Sequence, residues 1–97
     1  MDYKFIELKK ATDQKHKYVA VFENKKTKRT KSIPFGGYGY EDYTIHKDEN
    51  RKRLYKLRHQ NDRINEPMTP GALSMWILWN KPTIQESLKD YLKRFNF

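Results

Sequence analysis

Hydrophobic and polar residues alternate along three segments in the first third of the chain, and this period of two predicts β-strands. The segments are 3–10, 17–23 and 29–35. The polar sequences between them, TDQKH and ENKKTK, suit hairpin turns. Pro34 restricts the third strand to a sheet edge or a strand end, because proline has no backbone N–H to donate. The pattern predicts a three-stranded antiparallel β-meander over residues 1–35.

A joint rich in glycine and tyrosine, residues 36–47, separates the strands from a segment with helical period. In that segment Leu54, Leu57 and Ile64 fall near one face, and basic side chains fill the others. Two carboxylates open the segment and cations follow, which is the order that the helix dipole favours. The sequence therefore predicts a basic helix over residues 48–62.

The helix predicted over residues 71–79 is apolar nearly all round, and only Ser74 interrupts it. Thr69 suits the N-cap, and Pro70 suits the first helical position. A helix without a polar face is either the most buried element of a small domain or a contact surface for another protein. Its tryptophans are more often core residues than a binding platform. The candidate protein interface consists of Met75, Trp76 and Trp79.

A last helix completes the helical part of the chain, residues 48–97. Thr83 and Glu86 have the spacing of a capping box at its start. An amphipathic stripe follows, made of Ile84, Leu88, Tyr91, Leu92 and Phe95. Three strands followed by three helices predict an α+β fold in which the helices pack on one face of a small sheet.

The composition fits a single folded domain. The chain has 97 residues, 14% of them aromatic, and large aromatic side chains can build a compact core from few residues. It has no cysteine, which excludes disulfides and thiolate metal sites. No apolar run approaches the roughly 20 residues of a membrane span, and the first residues lack the apolar core of a signal peptide. We therefore expect a protein of the reducing cell interior, cytosol or nucleus.

The net charge of +9 is concentrated in two zones, residues 1–32 and 47–63, which flank Glu41 and Asp42 of the joint. A field of this sign favours nucleic acid, anionic lipid or an acidic protein surface. It also keeps a small protein soluble, but the clustering of the cations favours an acidic partner. The candidate residues for binding nucleic acid or an acidic partner are Lys25, Lys26, Lys28, Arg29 and Lys31 near the second turn, Arg51, Lys52, Arg53, Lys56 and Arg58 in the basic helix, and Tyr38 and Tyr40 for base stacking.

The glycines of the joint could cradle a phosphate only if they led directly into a helix N-terminus. Gly36, Gly37 and Gly39 instead precede carboxylates, among them Asp48 and Glu49. These carboxylates would repel a phosphate at the position where the helix dipole would attract it. Neither a Walker pattern nor GxGxxG is present. We interpret the glycines as residues that permit tight turns beside bulky tyrosines.

No arrangement in the sequence predicts catalysis, a metal site or a cofactor. His46 and His59 lie at opposite ends of one predicted helix, about 20 Å apart by helix rise, and the metal motifs HxxxH and HExxH are absent. No serine lies in a G-x-S-x-G elbow. His46 beside Asp48 could serve a small nuclease, but we expect the imidazole to bond to the backbone where the helix begins.

Two stretches resemble a known family: FGGYGYEDYTIHKD at residues 35–48 and LWNKPT at residues 78–83. The pattern FGxxGYxDYTxHxD followed by LWNKPT is similar to that of a family of small basic proteins of uncharacterised function encoded by large nucleocytoplasmic DNA viruses. The resemblance covers residues 33–95. It implies synthesis in the host cytoplasm, at the virus factory, and packaging in the virion, and it implies no particular activity.

Three functions are consistent with these observations. The first is a non-enzymatic structural protein of the virion, or minor capsid component, that binds other virion or capsid proteins through the apolar helix and the basic surfaces. The second is a nucleic-acid-binding protein that lays the basic hairpin and helix 48–62 on the phosphate backbone of DNA or RNA. The third, ranked last, is a small nuclease that uses His46, Asp48 and His59. The oligomeric state stays open.

Overall fold

A computed structural model describes residues 2–97, and its first part is a small β-sheet. The strands are β1 (Tyr3–Lys10), β2 (His16–Asn24) and β3 (Thr30–Gly37). They form one antiparallel sheet in the order β1-β2-β3. The predicted meander is confirmed; the observed second strand is one residue longer at each end, and the third begins one residue later and ends two residues later than the alternation indicates.

A β-bulge in β1 changes the phase of its alternation. Phe5 lies opposite Phe22 and Glu7 lies opposite Val21, so Ile6 has no partner on β2 and its side chain is exposed. Two residues of one strand opposite one residue of the other shift the following side chains to the opposite face. The bulge therefore directs all three half-buried apolar residues of β1 towards the core: Tyr3, Phe5 and Leu8.

Helices make up the second part of the chain. They are α1 (Tyr43–His46), α2 (Glu49–His59), α3 (Pro70–Leu73) and α4 (Ile84–Arg94), and α3 continues directly into a π-helical turn, Ser74–Leu78. The α+β class is confirmed. The short helix α1 and the π-helical turn were not predicted, because a single turn of helix has too few residues to show a hydrophobic period.

The core lies between one face of the sheet and the helices α3 and α4, together with the π-helical turn. Its fully buried members are Ala20, Phe22, Ile33 and Phe35 from the sheet and Leu73, Ile77, Leu78 and Tyr91 from the helices. Segment 70–78 contains five buried hydrophobic residues, so the prediction that this apolar helix is the most buried one is confirmed. The predicted caps are confirmed as well, since the Thr69 and Thr83 side chains accept the backbone N–H groups of Ala72 and Glu86.

Helix α2 differs from α4, the other helix of eleven residues, because it contains no buried residue. Leu54 and Leu57 are 43% and 53% exposed, and Ile64 lies beyond the end of the helix at His59. The face that the leucine spacing indicated is therefore not the face that packs. Tyr55 takes the inward position instead, with its ring on the indole of Trp79. The helix presents its leucines to solvent among its cations.

No helix among residues 2–97 is long and apolar enough to cross a membrane.

Candidate binding surface along helix α2

The N-terminus of α2 is held by two side chains that precede its first turn, those of Asp48 and His46. The carboxylate of Asp48 accepts the backbone N–H groups of Asn50 and Arg51, at 2.9 and 3.1 Å. The backbone N–H of Asp48 in turn donates to Nδ1 of His46, at 2.9 Å. The expectation that His46 bonds to the backbone at the start of the helix is confirmed.

The two carboxylates of the joint connect the sheet to α2. Asp42 is buried, and its Oδ2 lies 2.5 Å from Nζ of Lys17 on β2, while its Oδ1 accepts the backbone N–H of Thr44. Glu41 is exposed and lies 2.8 Å from the guanidinium of Arg51 on α2. The hydrogen bond and the charge of Arg51 lower the pKa of Glu41. Each acidic group is therefore paired with a cation of a different element, and these pairs fix the path of the joint.

A column of aromatic rings supports the inner side of α2. Tyr55 lies on Trp79 with ring centroids 4.2 Å apart and planes inclined by 4°. His59 lies 4.2 Å from Tyr55, and His46 lies 5.3 Å from Trp79. Stacked and tilted aromatic pairs contribute about 0.5–1.5 kcal/mol each beyond the area that they bury. The column therefore holds a polar helix that buries none of its residues completely.

The histidines of the nuclease hypothesis occupy structural positions in this column. Because Nδ1 of His46 accepts a hydrogen bond, the neutral ring carries its proton on Nε2, which is buried without a hydrogen-bond partner in the described chain. Nδ1 of His59 lies 2.9 Å from the carboxylate of Asp62. The Asp48 carboxylate caps α2. Within residues 2–97, no group of three or more histidines and carboxylates is arranged to hold a metal ion.

A groove of about 540 Å³ lies between α2 and the residues Ile64, Met75 and Trp76, and we call it the α2–Trp76 groove. Its apolar lining residues, which we call its floor, are Leu57, Ile64, Met75 and Trp76. Its polar lining residues, which we call its rim, are Glu49, Lys52, Arg53, Lys56 and Gln60. The indole N–H of Trp76 donates to the backbone carbonyl of Ile64, at 2.8 Å, so the floor is tied to the chain that follows α2.

Cations crowd around Trp76 at the edge of this groove. The guanidinium of Arg94 lies 3.9 Å from the centre of a Trp76 ring, and Nζ of Lys56 lies 5.8 Å from it. Partial burial lowers the pKa of Lys56, and the positive charges of Lys52 and Arg94 lower it further. The groove thus concentrates positive charge that is incompletely compensated by the protein itself.

A second cleft, of about 510 Å³, lies on the other side of α2, between the helix, the joint and the end of the sheet. Leu54, Arg58, Tyr40 and Ser74 line part of it. Tyr55 also borders the cleft, and burial raises the pKa of its hydroxyl to about 12. Leu54 and Leu57 are three residues apart and so are neighbours on the exposed face of α2, but Leu54 borders this cleft and Leu57 borders the α2–Trp76 groove.

The structure places the two predicted basic zones in different parts of the molecule. The turn between β2 and β3 lies at the Asn24–Thr30 end of the sheet, and the joint towards α2 leaves from the opposite end, where His16 pairs with Gly37. The cations near the turn are exposed and form no ion pair within residues 2–97: Lys25, Lys26, Lys28, Arg29 and Lys31. In α2, Arg51 pairs with Glu41, and no ion pair of the described residues includes the other four candidates: Lys52, Arg53, Lys56 and Arg58.

The aromatic and apolar candidates are divided between the surface and the interior. Tyr38 and Tyr40 are exposed, as base stacking would require. Trp76 and Trp79 are half-buried, against cations and against Tyr55 respectively. Met75 is 2% exposed, so it belongs to the interior of this chain and forms only the floor of the α2–Trp76 groove. Of the three residues of the predicted protein interface, Met75 is thus buried within this chain and the two tryptophans are half-buried, whereas α2 exposes Leu54 and Leu57.

The sequence did not indicate that four residues position this surface: Tyr55, His59, Lys17 and Asp42. Tyr55 and His59 are four residues apart on α2, and this spacing of two rings on one helix face could have identified the inward side. Lys17 and Asp42 are separated by 25 residues, and no local pattern indicates that they pair.

The fold and this surface define a small α+β protein with a basic, solvent-exposed helix. A family of unknown function (DUF5754) matches residues 6–59, which is more than half of the chain, and the protein belongs to that family. The match runs from within β1 to the last residue of α2, so it includes the sheet, the joint and the basic helix. No curated protein and no solved structure matches the chain.

Proposed function

We propose that this protein is a non-enzymatic, virion-associated structural protein, a minor capsid component that binds other virion proteins through α2. The observation that supports this best is the exposure of Leu54 and Leu57 among the cations of that helix. Exposed leucines on a folded helix gain free energy from a partner that covers them, about 25 cal/mol per Å² of apolar surface removed from water.

The mixture of leucines and cations favours a protein as the partner. A phosphate backbone neutralises lysine and arginine but offers no apolar surface to a leucine. An acidic protein surface offers carboxylates and apolar side chains together, and interfaces combine an apolar centre with a polar rim in this way. The virion as the place of this contact rests on the sequence resemblance to proteins of large nucleocytoplasmic DNA viruses, which also implies the virus factory in the host cytoplasm.

The test is quantitative mass spectrometry of virions purified from cells infected with the virus that encodes this chain. We expect the protein to copurify with the capsid. A variant with both Leu54→Glu and Leu57→Glu should be incorporated at a much lower level. The control is Ile45→Glu, which makes the same chemical change at an exposed residue of α1. Absence of the wild-type protein from purified virions would contradict the proposal, and so would equal incorporation of all variants.

A second function, binding of DNA or RNA, is supported by the unpaired cations near the β2–β3 turn. Five exposed cations within residues 25–31 can neutralise several phosphates, and each released counterion makes the affinity more dependent on salt. We expect a mobility shift of duplex DNA that weakens steeply as salt is raised, and that is lost when Lys25, Lys26 and Lys28 are replaced by glutamate. If wild-type protein does not shift DNA at physiological salt, this second proposal is rejected.

A further inference from the structure

We infer that the α2–Trp76 groove is a docking site for an acidic, amphipathic segment of a partner protein, whose apolar side chains contact Leu57, Ile64 and Trp76 and whose carboxylates meet the cations of the rim. This inference rests on the proposed function, in which α2 contacts a protein, and it names the part of the surface and the chemistry of the partner.

The floor of the groove requires apolar groups from its occupant. Leu57 is 53% exposed, and Ile64 and Trp76 are half-buried beside it. Met75 closes the bottom of the groove from the interior. A polar occupant would leave this apolar surface in contact with water, whereas a leucine or a phenylalanine from a partner would bury it.

The rim requires negative charge from the same occupant. Lys52, Arg53 and Lys56 line the groove, and no ion pair of the described residues includes any of them. The positive charges of Lys52 and Arg94 act on Lys56 across a half-buried rim. Carboxylates placed beside Lys56 would relieve this repulsion between like charges, so charge complementarity selects an acidic segment.

A nucleic acid fits this groove less well than an acidic peptide does. Base stacking needs a free aromatic face, and the guanidinium of Arg94 already lies over the Trp76 indole. The carboxylate of Glu49 at the rim accepts a hydrogen bond from the Tyr43 hydroxyl and would repel a phosphate and a carboxylate alike, so it favours neither partner. The acidic peptide has apolar side chains that can cover the floor, whereas a phosphate backbone has none, and this difference distinguishes the two partners.

The length of α2 sets the size of the segment. Eleven residues at the α-helical rise of about 1.5 Å per residue give a groove wall of about 16 Å, which is three turns of a helix laid alongside it. Helix-in-groove recognition uses apolar anchors spaced three and four residues apart on one face. Two or three such anchors can reach the floor of the groove, with acidic residues on both sides of them.

The experiment uses the full chain and a synthetic, fluorescein-labelled peptide of about 15 residues, long enough to cover three turns. The peptide has leucines at helical three-and-four spacing and glutamates at most other positions. The comparison peptide has serine at each leucine position and the same charge. Fluorescence anisotropy at physiological ionic strength measures both affinities, and we expect the comparison peptide to bind at least about tenfold more weakly, as when interface anchors are truncated.

Two matched variants of the protein locate the binding site. Leu57→Glu places a charge on the floor of the groove, and Leu54→Glu makes the same change three residues earlier in α2, at a leucine that borders the second cleft and does not line the groove. Both leucines are exposed, so both variants should fold, which circular dichroism and thermal unfolding verify. We expect Leu57→Glu to weaken binding of the leucine peptide at least about tenfold and Leu54→Glu to weaken it less than about threefold, because both carry the same added charge and only one alters the floor.

Three results would overturn the inference: no binding of the leucine peptide, equal affinity for the two peptides, or equal effects of the two variants. Its failure is distinguishable from failure of the proposed function. If the protein is present in virions but Leu57→Glu binds the leucine peptide as the wild type does, only the groove assignment is lost. If the peptide binds in the groove but the protein is absent from virions, the virion assignment is lost and the docking site stands.

Discussion

The phenol ring of Tyr55 lies parallel to the indole of Trp79, with ring centroids 4.2 Å apart and planes inclined by 4°. Tyr55 belongs to α2, and Trp79 follows the π-helical turn of the core. Because α2 buries no residue completely, this stack is the main apolar contact between the basic helix and the core among the aromatic pairs of residues 2–97. This pair of rings therefore contributes to the position of the proposed binding surface, together with the ion pair between Arg51 and Glu41.

Replacement of Tyr55 by alanine should test this dependence. The ring is half-buried, so we expect the free energy of unfolding to fall by about 2 kcal/mol, from lost burial and lost stacking. For a domain of this size, that corresponds to a melting temperature lower by about 8–16 °C. The control is Tyr38→Ala, at an exposed tyrosine, which should change the stability by less than about 0.5 kcal/mol. Equal effects in urea unfolding would show that the stack does not stabilise α2.

Gly36 should tolerate a side chain less well than Gly39 does. Both have positive φ, +77° and +85°, so alanine at either position adopts a left-handed conformation that costs about 1 kcal/mol or more. A Cβ at Gly36 would also lie 2.8 Å from Cδ1 of the buried Leu78, whereas nothing lies within 4 Å of one at Gly39. Since a close-packed core resists added volume, Gly36→Ala should destabilise by about 1–3 kcal/mol more than Gly39→Ala. Chemical unfolding of both variants measures this difference, and similar values would contradict the contact with Leu78.

The sequence was sufficient for the parts of the fold that local interactions determine. Alternation over residues 17–23 indicated the central strand, and the N-caps Thr69 and Thr83 marked the starts of two helices. Each of these signals lies within one turn or one strand. The bulge at Ile6 was not predictable in the same way, because it depends on the register with β2, and register is set by the packed face of the whole sheet.

The candidate surface was harder to predict, because its position depends on contacts distant in sequence. The basic residues of α2 were identified correctly as a cluster, but the leucine spacing indicated the wrong inward face. Tyr55 faces inward because Trp79, 24 residues further along the chain, offers a flat partner. Met75 was assigned to a surface because its helix has no polar face, and the structure buries it because the sheet supplies a face large enough to cover that helix.

The ion pair between Lys17 and Asp42 should be strongly coupled, because both side chains are nearly buried, at 13% and 3% exposure. Lys17→Met leaves the Asp42 carboxylate without its cation, and Asp42→Asn leaves the Lys17 ammonium without its anion. Removal of one partner of a buried pair typically destabilises by about 3–5 kcal/mol. The double variant removes both charges, so it should be more stable than the sum of the single effects predicts, by about 1–3 kcal/mol.

The two single variants and the double variant form a double-mutant cycle. Its matched control is the same set of variants at the exposed pair between Arg51 and Glu41, at 47% and 56% exposure. Arg51→Gln and Glu41→Gln should each change the stability by less than about 1 kcal/mol, with little coupling, because water and salt screen the charges. Both cycles are measured by urea unfolding at neutral pH. Coupling of equal size in the two pairs would show that the Lys17–Asp42 pair does not anchor the joint.

Stability at acidic pH should depend on Asp13, in the turn between β1 and β2. A hydrogen bond to the His16 ring, followed by bonds from the backbone N–H groups of Lys15 and His16, lowers the pKa of Asp13 from 3.8 to about 2. Since the folded pKa lies below the unfolded one, the ionised carboxylate stabilises the fold above pH 3.8, and this contribution is lost as the pH falls towards 2. The difference in unfolding free energy between the wild type and Asp13→Asn should therefore be constant at neutral pH and shrink over this acidic range. Carboxyl NMR gives an independent measurement, in which His16→Ala should raise the Asp13 midpoint towards 3.8, and an unchanged midpoint would contradict the assigned hydrogen bond.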